Sequence, residues 1–417
     1  APDNEAMQVN LSGNFVFGPR AVLTYGAGMG KLEQDDDFLP VSTAPGAPTP
    51  RASLDGEIDL AHYNLGLALR PLDKLNLRGQ ARYDERDDKT PPLTVAYVVT
   101  DTVAGGTETT PRYSYERTRL DGTADYALFP WLKVQGGLLW DEIKRDQQEV
   151  AKTTEDGGFL SARLTPYGSF AVTLKAGQFH READGFDLTA RAPSENPLLR
   201  KYNLANRDRW LYEVVGSAGL GDSVVLSLQA RRTDDAYRRS PLGLTDGSTA
   251  QIGGNVGWTA SEKLNLYFDA SYQNYDSKQL GQAAPAGAAW EATNDDEFYT
   301  LALGGRWAFS ETLSFTADLV HAESRGETTL FTGGAPDAYP EIKTRLDAIR
   351  LGANYRFSPA LGIGVRVEYE SFDEDNWAYD EVTPAASPTL LSMNPTADTH
   401  DVLLVAFNFT YRFGNVA

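Results

Sequence analysis

The chain has 417 residues, with 38 Lys and Arg against 58 Asp and Glu, and no cysteine. A net charge of −20 argues against nucleic acid as the main partner, because phosphate binding needs a basic face. Without cysteine the chain has no disulfide framework, thiolate metal site, thiol nucleophile or covalent c-type haem attachment.

No apolar run reaches the ~18–20 residues of a membrane-spanning helix. The N-terminus lacks a basic stretch followed by an apolar one, so a mature or cut form, or a protein never exported by that route, is expected. Strict two-residue alternation dominates instead. Leu75, Leu77, Gly79, Ala81 and Tyr83 interleave with Asn76, Arg78, Gln80, Arg82 and Asp84. The pattern recurs with Leu264, Leu266, Phe268, Ala270 and Tyr272, and with Leu361, Ile363, Val365, Val367 and Tyr369. A period of two places the two sets on opposite faces of a strand.

In chain order the pattern predicts about seventeen strands: 6–17, 20–33, 53–71, 75–88, 112–130, 132–153, 154–167, 168–184, 207–221, 223–237, 247–260, 263–280, 294–309, 312–328, 342–358, 361–378 and 399–414. The connections alternate. Short ones include Gly18-Pro19-Arg20, Phe129-Pro130-Trp131, Gly221-Asp222 and Ser358-Pro359-Ala360. Long ones, near 34–52, 89–111, 185–206, 281–293, 329–341 and 379–398, are rich in Pro, Gly, Asp and Thr. Short turns at one end and long loops at the other mark a transmembrane antiparallel up-and-down β-barrel, with the turns periplasmic and the loops extracellular. The whole of 1–417 is then a single all-β barrel of about 17–18 strands, more in an uncut form.

Aromatic residues near strand ends, among them Phe15, Phe17, Tyr126, Phe129, Trp131, Trp140, Trp258, Trp307, Phe309, Tyr355, Phe357, Tyr411 and Phe413, suit interface girdles. A soluble β-sandwich would also alternate, but seventeen long strands and two classes of connection favour the barrel. Single-chain bacterial barrels normally have an even strand number. The odd count therefore implies a miscounted segment or at least one N-terminal strand outside this chain.

Arg78, Arg82, Asp269, Arg306, Asp318, Arg350, Arg366 and Glu368 fall on the polar set. They suit docking of a partner in the lumen or filtering of ions, and equally suit general lumen hydration. Acid-rich stretches can bind Ca²⁺ through hard oxygen ligands, with Asp35, Asp36 and Asp37 the candidate set. Solvated rim charge explains the same residues, and no twelve-residue EF-hand pattern is present. The four histidines, His62, His180, His321 and His400, are isolated and read as structural or rim residues. No G-x-S-x-G elbow is present, and nothing points to an enzyme. Gly26-Ala27-Gly28-Met29-Gly30 is followed by no helix, so it is no phosphate loop. Small residues there suit a partner's close approach or a bend in the strand.

Several segments resemble the MtrB/PioB family. Gly30 to Pro40, containing Gln34-Asp35-Asp36-Asp37-Phe38-Leu39-Pro40, is similar to its "G-x-x-x-Q-(N/D)-D-x-F-L-P" signature. The run Arg82-Tyr83-Asp84-Glu85-Arg86-Asp87-Asp88-Lys89-Thr90-Pro91 and the strand start Tyr113-Ser114-Tyr115-Glu116-Arg117 also resemble it. So does Asn196-Pro197-Leu198-Leu199-Arg200-Lys201-Tyr202-Asn203-Leu204-Ala205-Asn206-Arg207-Asp208-Arg209. These matches run in order over most of the chain. The resemblance implies an outer-membrane barrel of a Gram-negative bacterium that sheathes a periplasmic multihaem c-type cytochrome and often meets an outer-surface one. Electrons then cross to or from extracellular acceptors, with haem c carried by the partner and no intrinsic cofactor beyond a candidate Ca²⁺. Family members are usually longer at the N-terminus, and several carry a cysteine pair that is absent here. A plain diffusion porin for small solutes or ions is the alternative. At 18 strands, ~4.8 Å spacing and a tilt of about 40° give a backbone diameter of ~35–37 Å and a bore of ~20–25 Å. That bore would admit a slender multihaem protein.

Overall fold

The computed structural model describes residues 4–38, 51–99, 102–187, 196–282, 287–377 and 399–412. The expected loop at 379–398, the middle of the one at 34–52, and Leu39, Pro40 and Phe413 lie outside the described residues.

Seventeen long strands follow the predicted segments. They are β1 (Glu5–Val16), β2 (Ala21–Gln34), β3 (Gly56–Leu72), β4 (Leu75–Asp88), β7 (Tyr115–Phe129), β8 (Leu132–Arg145), β9 (Lys152–Tyr167), β10 (Phe170–Asp184), β12 (Asn206–Leu220), β13 (Val224–Arg238), β14 (Leu242–Ser261), β15 (Leu264–Gln282), β16 (Ala289–Trp307), β17 (Leu313–Phe331), β19 (Ile342–Arg356), β20 (Leu361–Asp375) and β21 (His400–Tyr411). Each pairs antiparallel with the next long strand in chain order. Two-residue strands β11 (Leu199–Arg200) and β18 (Asp337–Ala338) attach to the same sheet. Inside the expected loop 89–111 the chain forms a hairpin of β5 (Thr94–Val99) and β6 (Thr102–Thr109), a separate two-stranded sheet.

The cross-strand register carries each apolar set onto the next. Val256 pairs with Phe268, Phe268 with Leu303, and Leu303 with Leu319. One face of the sheet is therefore apolar from edge to edge, and its side chains lie bare: Leu138 is 75% exposed, Leu160 70% and Phe407 73%. Among the described residues only eight apolar side chains are buried. A sandwich would bury this face against a second sheet, so lipid is the partner that fits.

Aromatic rings mark both limits of the apolar band. At the turn end Phe129 stacks on Trp131 at 5.4 Å, and Trp307 meets Phe309 at 5.1 Å. At the other limit Trp210 stacks on Tyr212 at 6.3 Å and Tyr63 on Tyr83 at 6.1 Å. This second girdle is built mainly of tyrosines and lies mid-strand, which hides it from a search of strand ends. Along β16, Tyr299 and Trp307 bracket the band. Eight residues of tilted strand span roughly 20 Å of membrane.

No pairing among the described residues joins the two ends of the sheet. Among the described residues β1 pairs only with β2 and β21 only with β20. Both edge strands run from the long-loop end to the turn end, so a direct β1–β21 seam would be parallel. A cylinder with every neighbour antiparallel requires an odd number of further strands between them.

Leu303 sits in the middle of the apolar band, and Thr300 on the opposite face. Leu303→Arg is expected to cost about 2–4 kcal/mol in denaturant unfolding from bilayers. Thr300→Arg should stay within about 0.5 kcal/mol; equal costs would contradict the assigned faces.

Candidate functional site

The opposite face is polar over all seventeen long strands, and cross-strand pairs order it. Arg78, Arg82, Asp269, Arg306, Asp318, Arg350, Arg366 and Glu368 all fall on it by register. On β14 and β15, Asn255 donates to Asp269 at 2.6 Å. The Tyr267 hydroxyl donates to Asp318 at 2.6 Å across the intervening strand β16. Gly304 lies between them in register and makes that bond feasible, since a Cβ there would sit 2.4 Å from Asp318 Oδ1. Arg350 and Arg366 both donate to Glu368, each at 2.5 Å. Arg78, Arg82 and Arg306 are exposed on this face and form no ion pair among the described residues.

Toward the long-loop end the face becomes a ladder of arginine–carboxylate pairs. Arg117 holds Asp141 in a two-pronged contact at 2.9 and 2.5 Å. Arg207 reaches Glu155 at 2.8 Å, and Arg209 grips Asp235 at 2.7 and 2.6 Å. Such bidentate contacts fix both distance and orientation.

The segment 196–209 folds onto this ladder. Leu199 and Arg200 pair with Leu242 and Gly243, while Asn196 donates to the Gln282 carbonyl at 3.0 Å. Lys201 meets the buried Glu149 at 2.6 Å. Arg181 donates to the carbonyls of Ala205, at 2.9 Å, and Tyr202. Leu204, Ala205, Val150, Leu211 and Leu242 are buried. The Arg200 guanidinium lies 3.6 Å from the Phe186 ring centroid, and its side chain bonds the Pro197 carbonyl at 3.1 Å. The run from Asn196 to Arg209 is thus a clasp that narrows the polar face at its long-loop end. This clasp is the described second half of the long loop expected near 185–206, held in place by its arginines and buried leucines.

The other motif residues anchor loops. Arg86 donates to the Tyr113 carbonyl, the Thr90 hydroxyl accepts from the Glu57 N–H at 3.1 Å, and Arg51 donates to the Pro91 carbonyl at 3.0 Å. Tyr83 donates to Glu85 at 3.2 Å, and Gln34 donates to the Asp36 carbonyl at 3.4 Å. Burial pushes the Asp88 carboxyl up. Hydrogen bonds from Thr90 and from the Tyr113 N–H outweigh that and hold it below the usual carboxylate range.

Among the described residues no three Asp, Glu or His side chains, those of Asp35, Asp36 and Asp37 included, converge as metal ligands. The space over Gly26 and Gly28 is filled by Asn64 and His62, whose atoms lie 2.7 and 2.0 Å from where each Cβ would be. Those glycines make room for neighbouring polar side chains of the wall, leaving none for a partner's approach. The other histidines meet carboxylates: His180 meets Asp208, His321 meets Asp347 at 2.7 Å, and His400 meets Glu370 at 3.8 Å.

Residues 1–413 match the family described as putative outer membrane beta-barrel porin, MtrB/PioB. The chain belongs to that family. It is 23% identical over 414 residues to outer membrane protein MtrB of Shewanella baltica, covering 99% of this chain and 59% of that protein. Its fold resembles the siderophore receptor PirA of Pseudomonas aeruginosa, with a TM-score of 0.51 and 11% identity over 98% of this chain and 71% of that one. The protein is an outer-membrane β-barrel protein of a porin family, and porins are typically not enzymes. The two faces of the sheet are accordingly the lipid-facing wall and the lumen lining.

Asp235→Asn removes the partner of Arg209 in a half-buried setting. It is expected to lower stability by about 1–3 kcal/mol and to speed proteolysis within 196–206. Asp73→Asn, which breaks only the exposed pair with Arg20, should cost under about 1 kcal/mol.

Proposed function

We propose that this chain forms the wall of an outer-membrane conduit that sheathes a multihaem c-type cytochrome and lets electrons cross the membrane. The observation that carries the reading is the lumen face. It is polar over seventeen long strands, and its inward clasp is confined to the long-loop end. A wall of 18 strands leaves a bore of ~20–25 Å, room for a slender soluble protein. Membership of the MtrB/PioB family supports the same reading.

The division of labour follows from the residues. With no cysteine, this chain has no means of attaching c-type haem, so the redox groups belong to the partner. The wall contributes insulation. Its apolar face meets lipid, and its polar face replaces water around a soluble protein. The arginine–carboxylate ladder keeps the lining rigid, and the clasp limits how far a guest from the turn end can travel. An outer-surface cytochrome would meet the guest beyond the clasp.

A diffusion porin is the second reading, favoured by the same clasp, since inward-folded loops constrict porin channels. Purification from the native outer membrane in mild detergent separates the two. The sheath predicts a co-purifying Soret band and c-type α band although this chain binds no haem. A haem-free preparation with steady ohmic conductance in a planar bilayer would overturn it.

A further inference from the structure

Charge along the lumen is unevenly placed in a chain of net charge −20. Near the turn end the lining is basic. Lys133 on β8 pairs in register with Arg163 on β9, and Lys175 follows on β10 with its ammonium 4.2 Å from the Phe159 ring centroid. Across the wall Arg306, Arg356 and Arg412 line one cleft of about 420 Å³ between β16, β19, β20 and β21. None of the six forms an ion pair among the described residues. The Arg356 side chain donates to the Glu311 carbonyl, at 2.6 Å. The carboxylates at this level are Glu213, which faces Lys175 in register but forms no ion pair with it, Asp125 on β7 and Glu311 at the cleft, with Asp73, Asp222 and Glu262 in the turns and Asp269 and Asp318 deeper and already hydrogen-bonded. At the long-loop end, by contrast, Arg117, Arg207 and Arg209 are matched by Asp141, Glu155 and Asp235.

Six unmatched cations cost little in a wet lumen, yet they repel one another and add nothing to the wall. They become favourable when a negative surface faces them. We infer that the turn-end rim formed by Lys133, Arg163, Lys175, Arg306, Arg356 and Arg412 is a docking collar for an acidic protein face, rich in Asp and Glu, entering the lumen from the periplasm. This rests on the sheath reading and specifies it: the guest presents its acidic side to the collar. The collar's two stations, on β8–β10 and on β16–β21, contact the guest at separate points and so fix its rotation as well as its depth. At physiological salt the Debye length is about 8 Å, so the collar acts on a guest already at the mouth.

The test uses the full chain purified from its native membrane with whatever it holds. Two triple variants are compared with wild type: Lys133→Glu, Arg163→Glu, Lys175→Glu, and Arg306→Glu, Arg356→Glu, Arg412→Glu. A control reverses Arg20, Lys74 and Lys263 in the turns. Heat-modifiable gel mobility verifies that each barrel is folded, and the corresponding Gln variants serve where a Glu variant does not assemble. The readouts are haem bound per barrel and the salt concentration that elutes it from the immobilised barrel. Each collar variant should lose on the order of tenfold or more of its haem retention, with elution shifted to lower salt, while the control behaves as wild type. Haem retained equally by wild type and collar variants overturns the collar and leaves the sheath standing. A wild-type barrel without haem overturns both.

Discussion

In hydrocarbon every backbone N–H and C=O must find its partner within the protein, and the architecture of this chain follows from that requirement. A strand satisfies it only through its neighbours, so the chain commits to one sheet. Each strand presents alternate residues to lipid and to the lumen. Membership of one set or the other is enforced by register, because a slip of one residue would turn Leu303 inward and Arg306 outward. Tyr and Trp belts then hold the apolar band at the right depth. The same requirement explains why the edges β1 and β21 matter: an exposed hydrogen-bonding edge is not tolerated in lipid, and two edges of the same direction cannot be joined to each other in an antiparallel ladder.

The lumen face is built under looser rules. Water or a soluble guest satisfies its polar groups, so charge is placed there for organisation. Glycines such as Gly304 clear space for bonds that cross a strand, as from Tyr267 to Asp318. Toward the long-loop end Arg207, Arg209 and Asp235 tie the clasp to the wall. At the turn end the six collar cations form no ion pair among the described residues. The lining thus passes from an open basic mouth to a narrowed, charge-matched far end. That asymmetry suits a guest that enters from one side and stops.

Strands were legible because period-two alternation is the signal that lipid on one side and water on the other impose. Segments such as 75–88 emerge with unchanged bounds as β4. The hairpin β5–β6 was hidden because residues 94–109 occupy what the loop pattern marks as a connection. The clasp was visible only as a resemblance. Its arginines look like solvent charge until tertiary contacts bring Glu149, Glu155 and Asp235 to them. Parity puts the eight polar-face residues on one face, and so does the cross-strand register. Parity said nothing of which are ion-paired, as Arg350 and Glu368 are, and which stand unmatched, as Arg306 does.

The central claim is that the polar face surrounds a haem protein while the apolar face meets lipid. Photo-crosslinking groups introduced singly in native membranes test it directly. Gln229, Ser271 and Thr300 lie on the polar face, and Leu228, Ala270 and Leu301 beside them on the apolar one. Covalently attached c-type haem survives denaturing gels, so an adduct reveals itself by haem staining. The account predicts haem-stained adducts from the first three positions and none from the second three. Adducts from both sets, or from neither, would contradict it.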